Sequence, residues 1–220
     1  MLEKARKPCN NELIRKDIYK IAQFPINSFN YVLDIGANIG IFALMLRVLN
    51  RAAKIVAVEP NKENFAYLTT NMDGLDIITD SRALGDGSTL WLRERAKPHP
   101  LDHRFMPSRP ENSSTYPVPS IRLHSLFEQY HQEGEYCIKC NCEGGERYFI
   151  AHPEDEKVLQ GAKSVNLMVH FPGSKSDYPD CPTWEEYTAW IKHLFSSTHS
   201  IHYGHSHRGK GRGIFNMVKL

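Results

Sequence analysis

Tyr31-Val32-Leu33-Asp34-Ile35-Gly36-Ala37-Asn38-Ile39-Gly40 is the stretch on which the reading of this chain turns. An apolar run ends in an acid, turns through glycines and leads into an amphipathic segment, residues 41–49. A second apolar run, Lys54-Ile55-Val56-Ala57-Val58, ends in Glu59-Pro60. Strand, glycine turn, helix, strand and terminal acid form the front half of a nucleotide-binding βαβ unit. Gly36 and Gly40 lack a Cβ, so the turn can be tight and its backbone can approach a ligand. The helix that follows presents free N–H groups at its start. Glu59, at the carboxyl end of the second strand, is placed to accept hydrogen bonds from two ribose hydroxyls.

The spacing is Asp-x-Gly-x-Asn-x-Gly, not Gly-x-Gly-x-x-Gly. The dinucleotide fingerprint puts glycines where a pyrophosphate packs on the helix. An acid before the first glycine repels a pyrophosphate. It suits a ligand with a cationic amino-acid end, such as S-adenosyl-L-methionine (SAM). The turn resembles motif I of class I SAM-dependent methyltransferases. That resemblance implies a donor turn of Asp34, Gly36, Ala37, Asn38 and Gly40. It makes Glu59, followed by Pro60, the ribose-binding acid and places Ala83 by the adenine. The alternative is a generic α/β turn in which Asp34 and Asn38 are incidental.

With 220 residues the chain is long enough for one substantial core and reads as a single domain over 1–220. A net charge of +2 gives no case for nucleic acid. The apolar fraction of 41% and charged fraction of 24% are ordinary for a soluble globular protein. No apolar run approaches the ~20 residues that span a bilayer. Residues 1–7 are charged and lack an apolar segment, so no signal peptide is expected. Five cysteines without a scaffold-like spacing read as reduced thiols in a cytoplasm.

Residues 11–22 carry apolar side chains at helical spacing and predict an N-terminal helical extension over 1–28, ended by Pro25. Strands are expected at 29–34, 54–59 and 75–79, and helices at 38–50 and 61–72, the second capped by Asn61. Gly85-Asp86-Gly87 reads as a hairpin-type turn into a strand at 88–93. Residues 97–119 hold six prolines and read as a long loop, either an acceptor-binding flap or a surface excursion. A short helix is expected at 121–131, a strand at 136–142, broken helix over 146–159 around Pro153, and a strand at 164–171. Residues 183–195 form a helix capped by Thr183. Residues 200–205 and 213–218 read as an antiparallel pair. The fold class is α/β: a doubly wound, mostly parallel seven-stranded sheet with helices on both faces.

Three segments together resemble the FkbM-type methyltransferases, which look like O-methyltransferases of sugars and natural products. The first is residues 32–40 with Val58-Glu59-Pro60; the second is Ser120-Ile121-Arg122-Leu123-His124-Ser125-Leu126. The third is Ile138-Lys139-Cys140-Asn141-Cys142-Glu143-Gly144-Gly145-Glu146, and a following strand with His170 also fits. His124 and Asn141 stand where the family has aspartates. The strand end that bears Asn141 faces the methyl donor in class I folds, so Asn141 joins the donor-binding set. An amide cannot act as a carboxylate base, and no metal or base role passes to it. The resemblance implies SAM as cofactor and a small-molecule or glycan acceptor, with no membrane or nucleic-acid partner expected.

Methyl transfer from a sulfonium needs positioning first, and a base when the acceptor is a hydroxyl. Glu143 and His170 are the catalytic candidates, with His124 a weaker one. The plain structural reading of His170 is a hydrogen-bonded histidine at a strand end; that of Glu143 is a cap on the next helix or a partner that orients Lys139. Cys137, Cys140 and Cys142 invite a metal reading, but strand alternation points Cys137 away from the other two. The histidines at 199, 202, 205 and 207 and the basic, glycine-rich run 205–213 read as loop and hairpin-tip residues; the run could also contact phosphate. Three other readings stay open: an NAD-dependent or nucleotide-sugar enzyme, a non-catalytic module on the same fold, and an RNA methyltransferase.

Overall fold

The computed structural model describes residues 29–93, 105–106, 115–131, 133–150, 152–172, 181–203 and 211–220. The expected helix at 11–22 and the tip at 205–210 lie outside them, as does most of the segment 97–114.

The two runs that open the sequence are strands β1 (Tyr31–Ile35) and β2 (Lys54–Val58), joined by helix α1 (Ile41–Leu49). Helix α2 (Lys62–Met72) leads to β3 (Ile77–Asp80). Asn61 caps α2, its side chain accepting the Asn64 N–H. Two short strands follow, β4 (Ala83–Leu84) and β5 (Thr89–Arg93), then β6 (Phe105–Met106) and β7 (Thr115–Ile121). Helix α3 (Leu123–Tyr130) precedes β8 (Tyr136–Cys140), a 3-10 turn (Gly145–Phe149), α4 (Pro153–Gly161) and β9 (Ser164–His170). Helix α5 (Trp184–Phe195) and the strands β10 (His199–Tyr203) and β11 (Arg212–Lys219) complete the chain. Thr183 and Glu186 close a full capping box on α5.

The main sheet has seven strands in the order β10-β11-β9-β8-β1-β2-β3. The five from β9 to β3 run parallel; β11 is antiparallel to β9 and to β10. This is the mostly parallel, doubly wound sheet that the sequence predicts. Strands β1, β8 and β9 are buried along their whole length, as parallel strands covered on both faces must be. Alternation divides their side chains between two cores. Leu33, Ile138, Leu167 and Phe215 pack with Leu159, Tyr187 and Ile191 of α4 and α5. Val32, Ile55, Ala57 and Cys137 pack with Phe42, Leu46, Leu68 and Met72 of α1 and α2. Cys137 thus faces one core, while Cys140 and Cys142 face the other.

The chain runs outward from β1 to β3, then returns to lay β8 and β9 on the other side of β1. The order therefore reverses at β1 and β8. In open α/β sheets ligands bind at the carboxyl ends of the strands at such a point.

Strands β4, β7, β5 and β6 form a second sheet, and here several expectations fail. Gly85-Asp86-Gly87 is not a hairpin turn. β4 and β5 do not pair with each other, because β7 lies between them. Thr115–Ile121, assigned to loop and helix by the sequence, is strand, and α3 starts at Leu123. Prolines 117 and 119 misled that reading. The Ser120 N–H donates to Ser88 O on the β5 side, so alternation turns the nitrogens of Pro117 and Pro119 the other way. There β4 reaches only Ser120 and Ile121, so the missing N–H groups interrupt no ladder. The small core of this sheet holds Ala83, Leu90, Leu92, Tyr116 and Val118.

No helix among the described residues is long and apolar enough to cross a membrane. One close contact fixes how α5 lies on β11. A Cβ on Gly213 would fall 2.2 Å from Trp184 Cζ3, and Trp184 stacks on Phe215 at 4.8 Å. Gly213→Ala is expected to destabilise the protein by about 1–3 kcal/mol in urea unfolding. Gly87→Ala, with open space around it, is expected to cost only about 1 kcal/mol from its positive φ.

Candidate active site

The turn after β1 is built from backbone that few side chains tolerate. Gly36, Asn38 and Gly40 all have positive φ, at 73°, 54° and 89°. Asn is among the few non-glycine residues that adopt this region readily. The N–H groups of Gly36 and Ala37 both donate to Val58 O at 2.9 Å, tying the turn to β2. A Cβ on Gly36 would sit 1.8 Å from the carbonyl oxygen of Asn141, so the β1 and β8 turns touch backbone to backbone. A Cβ on Gly40 would meet Met72 Cε at 2.5 Å, where α2 closes on the start of α1.

Glu59 completes the turn from the β2 side. Its Oε2 accepts the Asn38 N–H and its Oε1 the Asn61 N–H, each at 2.9 Å. Burial pushes the Glu59 carboxyl up to about 7, against the pull of these two N–H donors and of the Lys139 charge. Pro60, half-buried, follows it.

Asp34 lies beneath the turn rather than on its open side. The residue is fully buried, and its Oδ1 is 2.9 Å from the Nζ of Lys139, its register partner on β8. Lys139 is itself buried. Its ammonium also donates to Gly36 O at 2.7 Å and Ile35 O at 3.3 Å, and lies 5.8 Å from the Phe42 ring centroid. Asp34 therefore acts on the turn through Lys139. The sequence assigned no role to Lys139, although a lone lysine in the apolar run 136–140, level with an acid on the adjacent strand, was a readable signal.

The carboxyl ends of β8 and β9 bring the remaining candidates together. Asn141 N–H donates to Ile35 O at 3.0 Å, which sets the β8 turn beside Gly36. Glu143 follows in left-handed backbone, φ 51°. His170, fully buried, lies between two acids: Nδ1 is 2.7 Å from Glu146 Oε1 and Nε2 is 3.3 Å from Glu143 Oε2. Burial alone would lower the His170 pKa, but Glu146 and Glu143 outweigh it and hold the pKa above its usual value. For Glu146 burial works upward, and His170 outweighs it and holds the carboxyl low. Each thus favours the charged form of the other. Glu146 also accepts the Gly144 N–H at 3.0 Å. Of the three, Glu143 alone retains exposed side-chain surface, 17%. A solvent-reachable carboxylate backed by a buried cation can receive a proton or orient a hydroxyl.

The other candidates lie apart from this cluster. His124 is on α3, its Nδ1 3.0 Å from Asp155 on α4. His199 is buried on Ala162 O and Thr198. Ala83 is fully buried in the small sheet. That sheet reaches the start of α2, just past Glu59, through Tyr116, whose hydroxyl accepts the Lys62 N–H at 3.1 Å and pairs with the Asn61 amide at 3.3 Å. Asp80, at the end of β3, is bound by Arg82 through several hydrogen bonds and by the Tyr130 hydroxyl at 3.0 Å. Among the described residues no group of three or more His, Cys, Asp or Glu side chains is arranged to hold a metal ion.

Comparison with known proteins supports the fold. No family model matches the chain. Over 113 residues it is 33% identical to the methyltransferase sdnD of Sordaria araneosa, a match that covers 51% of this chain and 40% of that protein. It superposes on methyltransferase FkbM from Methylobacillus flagellatus with a TM-score of 0.55 and 14% identity, covering 96% of this chain and 48% of that one. The plantazolicin methyltransferase BamL, solved with a triazolic desmethylPZN analog and SAH, gives a TM-score of 0.55 at 8% identity, covering 99% and 87%. The chain has the fold of class I SAM-dependent methyltransferases, at about half the length of the FkbM structure.

The buried pair beneath the turn yields a direct test. Lys139→Met leaves Asp34 charged with no cation, and is expected to cost about 3–5 kcal/mol in urea unfolding. The double variant Asp34→Leu/Lys139→Met is expected to regain most of that loss, because neither charge is then stranded.

Proposed function

We propose that this chain is a SAM-dependent methyltransferase of the FkbM type that methylates a hydroxyl of a sugar-like or other small molecule. The observation that carries the reading is the Glu59 carboxylate, closed onto the Asn38 N–H of a glycine turn at the point where the strand order reverses. A carboxylate has about four acceptor positions; the Asn38 and Asn61 N–H groups use two and the Asn64 side chain engages a third, which leaves an acceptor for a ribose hydroxyl. The likeness to a protein named a methyltransferase supports the same activity here. The segment 138–146 and the FkbM superposition support the narrower assignment.

The residues fit the donor. Positive φ at Gly36, Asn38 and Gly40 shapes a turn at the start of α1, and Lys139 holds it from below. When bound, SAM supplies an electrophilic methyl group on a sulfonium. Glu59 binds the ribose, Asn141 lines the donor from the β8 side, and the small sheet with Ala83 flanks the adenine. Glu143 would accept the proton of the acceptor hydroxyl. His170, whose charged form Glu146 favours, holds the Glu143 carboxyl in place at 3.3 Å.

Calorimetry with S-adenosylhomocysteine (SAH) tests the donor assignment. Wild-type affinity is expected to rise as pH increases through about 7, where Glu59 loses its proton. Glu59→Gln is expected to bind about ten- to a hundredfold more weakly at pH 8 and to lose that pH dependence. Unchanged affinity in the variant would remove Glu59 from the site. In transfer assays with tritiated SAM and hydroxyl acceptors, Glu143→Gln is expected to lower kcat by roughly 10²–10⁴-fold while SAH affinity holds. A variant as fast as wild type would exclude Glu143 as the base.

A further inference from the structure

Arg212 opens β11 directly opposite His170, the last residue of β9. Opposed residues of an antiparallel pair project from the same face of the sheet. Guanidinium and imidazole therefore share one face at the carboxyl end of β9. The neighbouring acids already have partners: Glu143 and Glu146 are paired with His170, and Asp34 with Lys139. Arg212 makes no ion pair with any described residue, and its Nε is buried without an acceptor. A buried N–H of a guanidinium left unpaired is costly, and its natural complement is a planar or tetrahedral oxyanion. In the sequence Arg212 belongs to the basic run 205–213, which the donor site does not use.

We infer that Arg212 recognises an anionic group, carboxylate or phosphate, carried by the acceptor beside the hydroxyl that Glu143 deprotonates. This rests on the methyltransferase reading and narrows its substrate class to hydroxylated anions. Arg212 and Glu143 then divide the acceptor between them. The guanidinium takes the charged end, and the carboxylate takes the neutral hydroxyl that it would repel if that oxygen were already ionised. His170, between them, holds Glu143 on its own side of the site. Arg212 is a specificity-determining residue in this scheme and takes no part in the bond-making step.

The test is calorimetric titration of the SAH-loaded protein with glucuronate, glucose 6-phosphate and glucose. At least one anionic sugar is expected to bind about tenfold or more tightly than glucose, and the stronger of the two identifies the preferred anion. Arg212→Gln is expected to bring that sugar to the level of glucose with SAH affinity unchanged; Arg212→Lys, which keeps the charge, retains part of the preference. Equal binding of all three sugars, no binding of either anionic one, or a preference that survives in Arg212→Gln would overturn the inference. Failure to bind SAH at the outset would instead overturn the donor reading on which it rests.

Discussion

The ammonium of Lys139 has almost no water around it and four demands upon it. It neutralises Asp34, donates to two carbonyl oxygens, Ile35 O and Gly36 O, and lies near the Phe42 ring of α1. A buried charge left without a partner costs several kcal/mol, so the three elements it joins have little freedom to move independently. That constraint reaches outward. It fixes the carbonyls of Ile35 and Gly36, which lets the turn pass against Asn141 at a distance no Cβ permits. With β1 and β8 locked there, Asn38 presents its N–H to Glu59, and the 141–146 segment carries Glu143 to His170. The β1 turn and the 141–146 segment are thus both set by one buried lysine.

The two clusters carry different electrostatics. Beside the β1 turn a single carboxylate, Glu59, is buried enough to titrate near neutrality. At the ends of β8 and β9 two carboxylates share His170, with a guanidinium across the ladder. Burial works against the charged forms of His170 and Glu146, and each outweighs it for the other from within hydrogen-bond reach. A fully buried cation is poorly placed to take a proton from a substrate. His170 is accordingly better suited to hold Glu143 than to act as the base itself.

The parallel sheet was legible in the sequence because its strands are short apolar runs ending in turn residues, and both signals are local. Asn61 and Thr183 as caps were legible for the same reason. The second sheet was not. Its pairing depends on β7, which enters between β4 and β5, and nothing near Gly85 or Pro117 records that insertion. The turn residues and Glu59 were found by spacing. The burial of Asp34 was not, since an acid at a strand end reads the same whether it faces a ligand or a lysine. Glu143, His170 and Glu146 were each visible, but that they form one chain of charges required the three-dimensional approach of β8 to β9. Arg212 opposite His170 is a matter of register between strands far apart in sequence.

The claim on which the rest depends is that the Asp34–Gly40 turn with Glu59 receives SAM rather than a dinucleotide. Parallel calorimetric titrations with SAH and with NAD at pH 8 address it most directly. Saturable binding of SAH, with no heat from NAD at matched concentrations, is the predicted result. Binding of NAD with none of SAH at millimolar concentration would contradict the account.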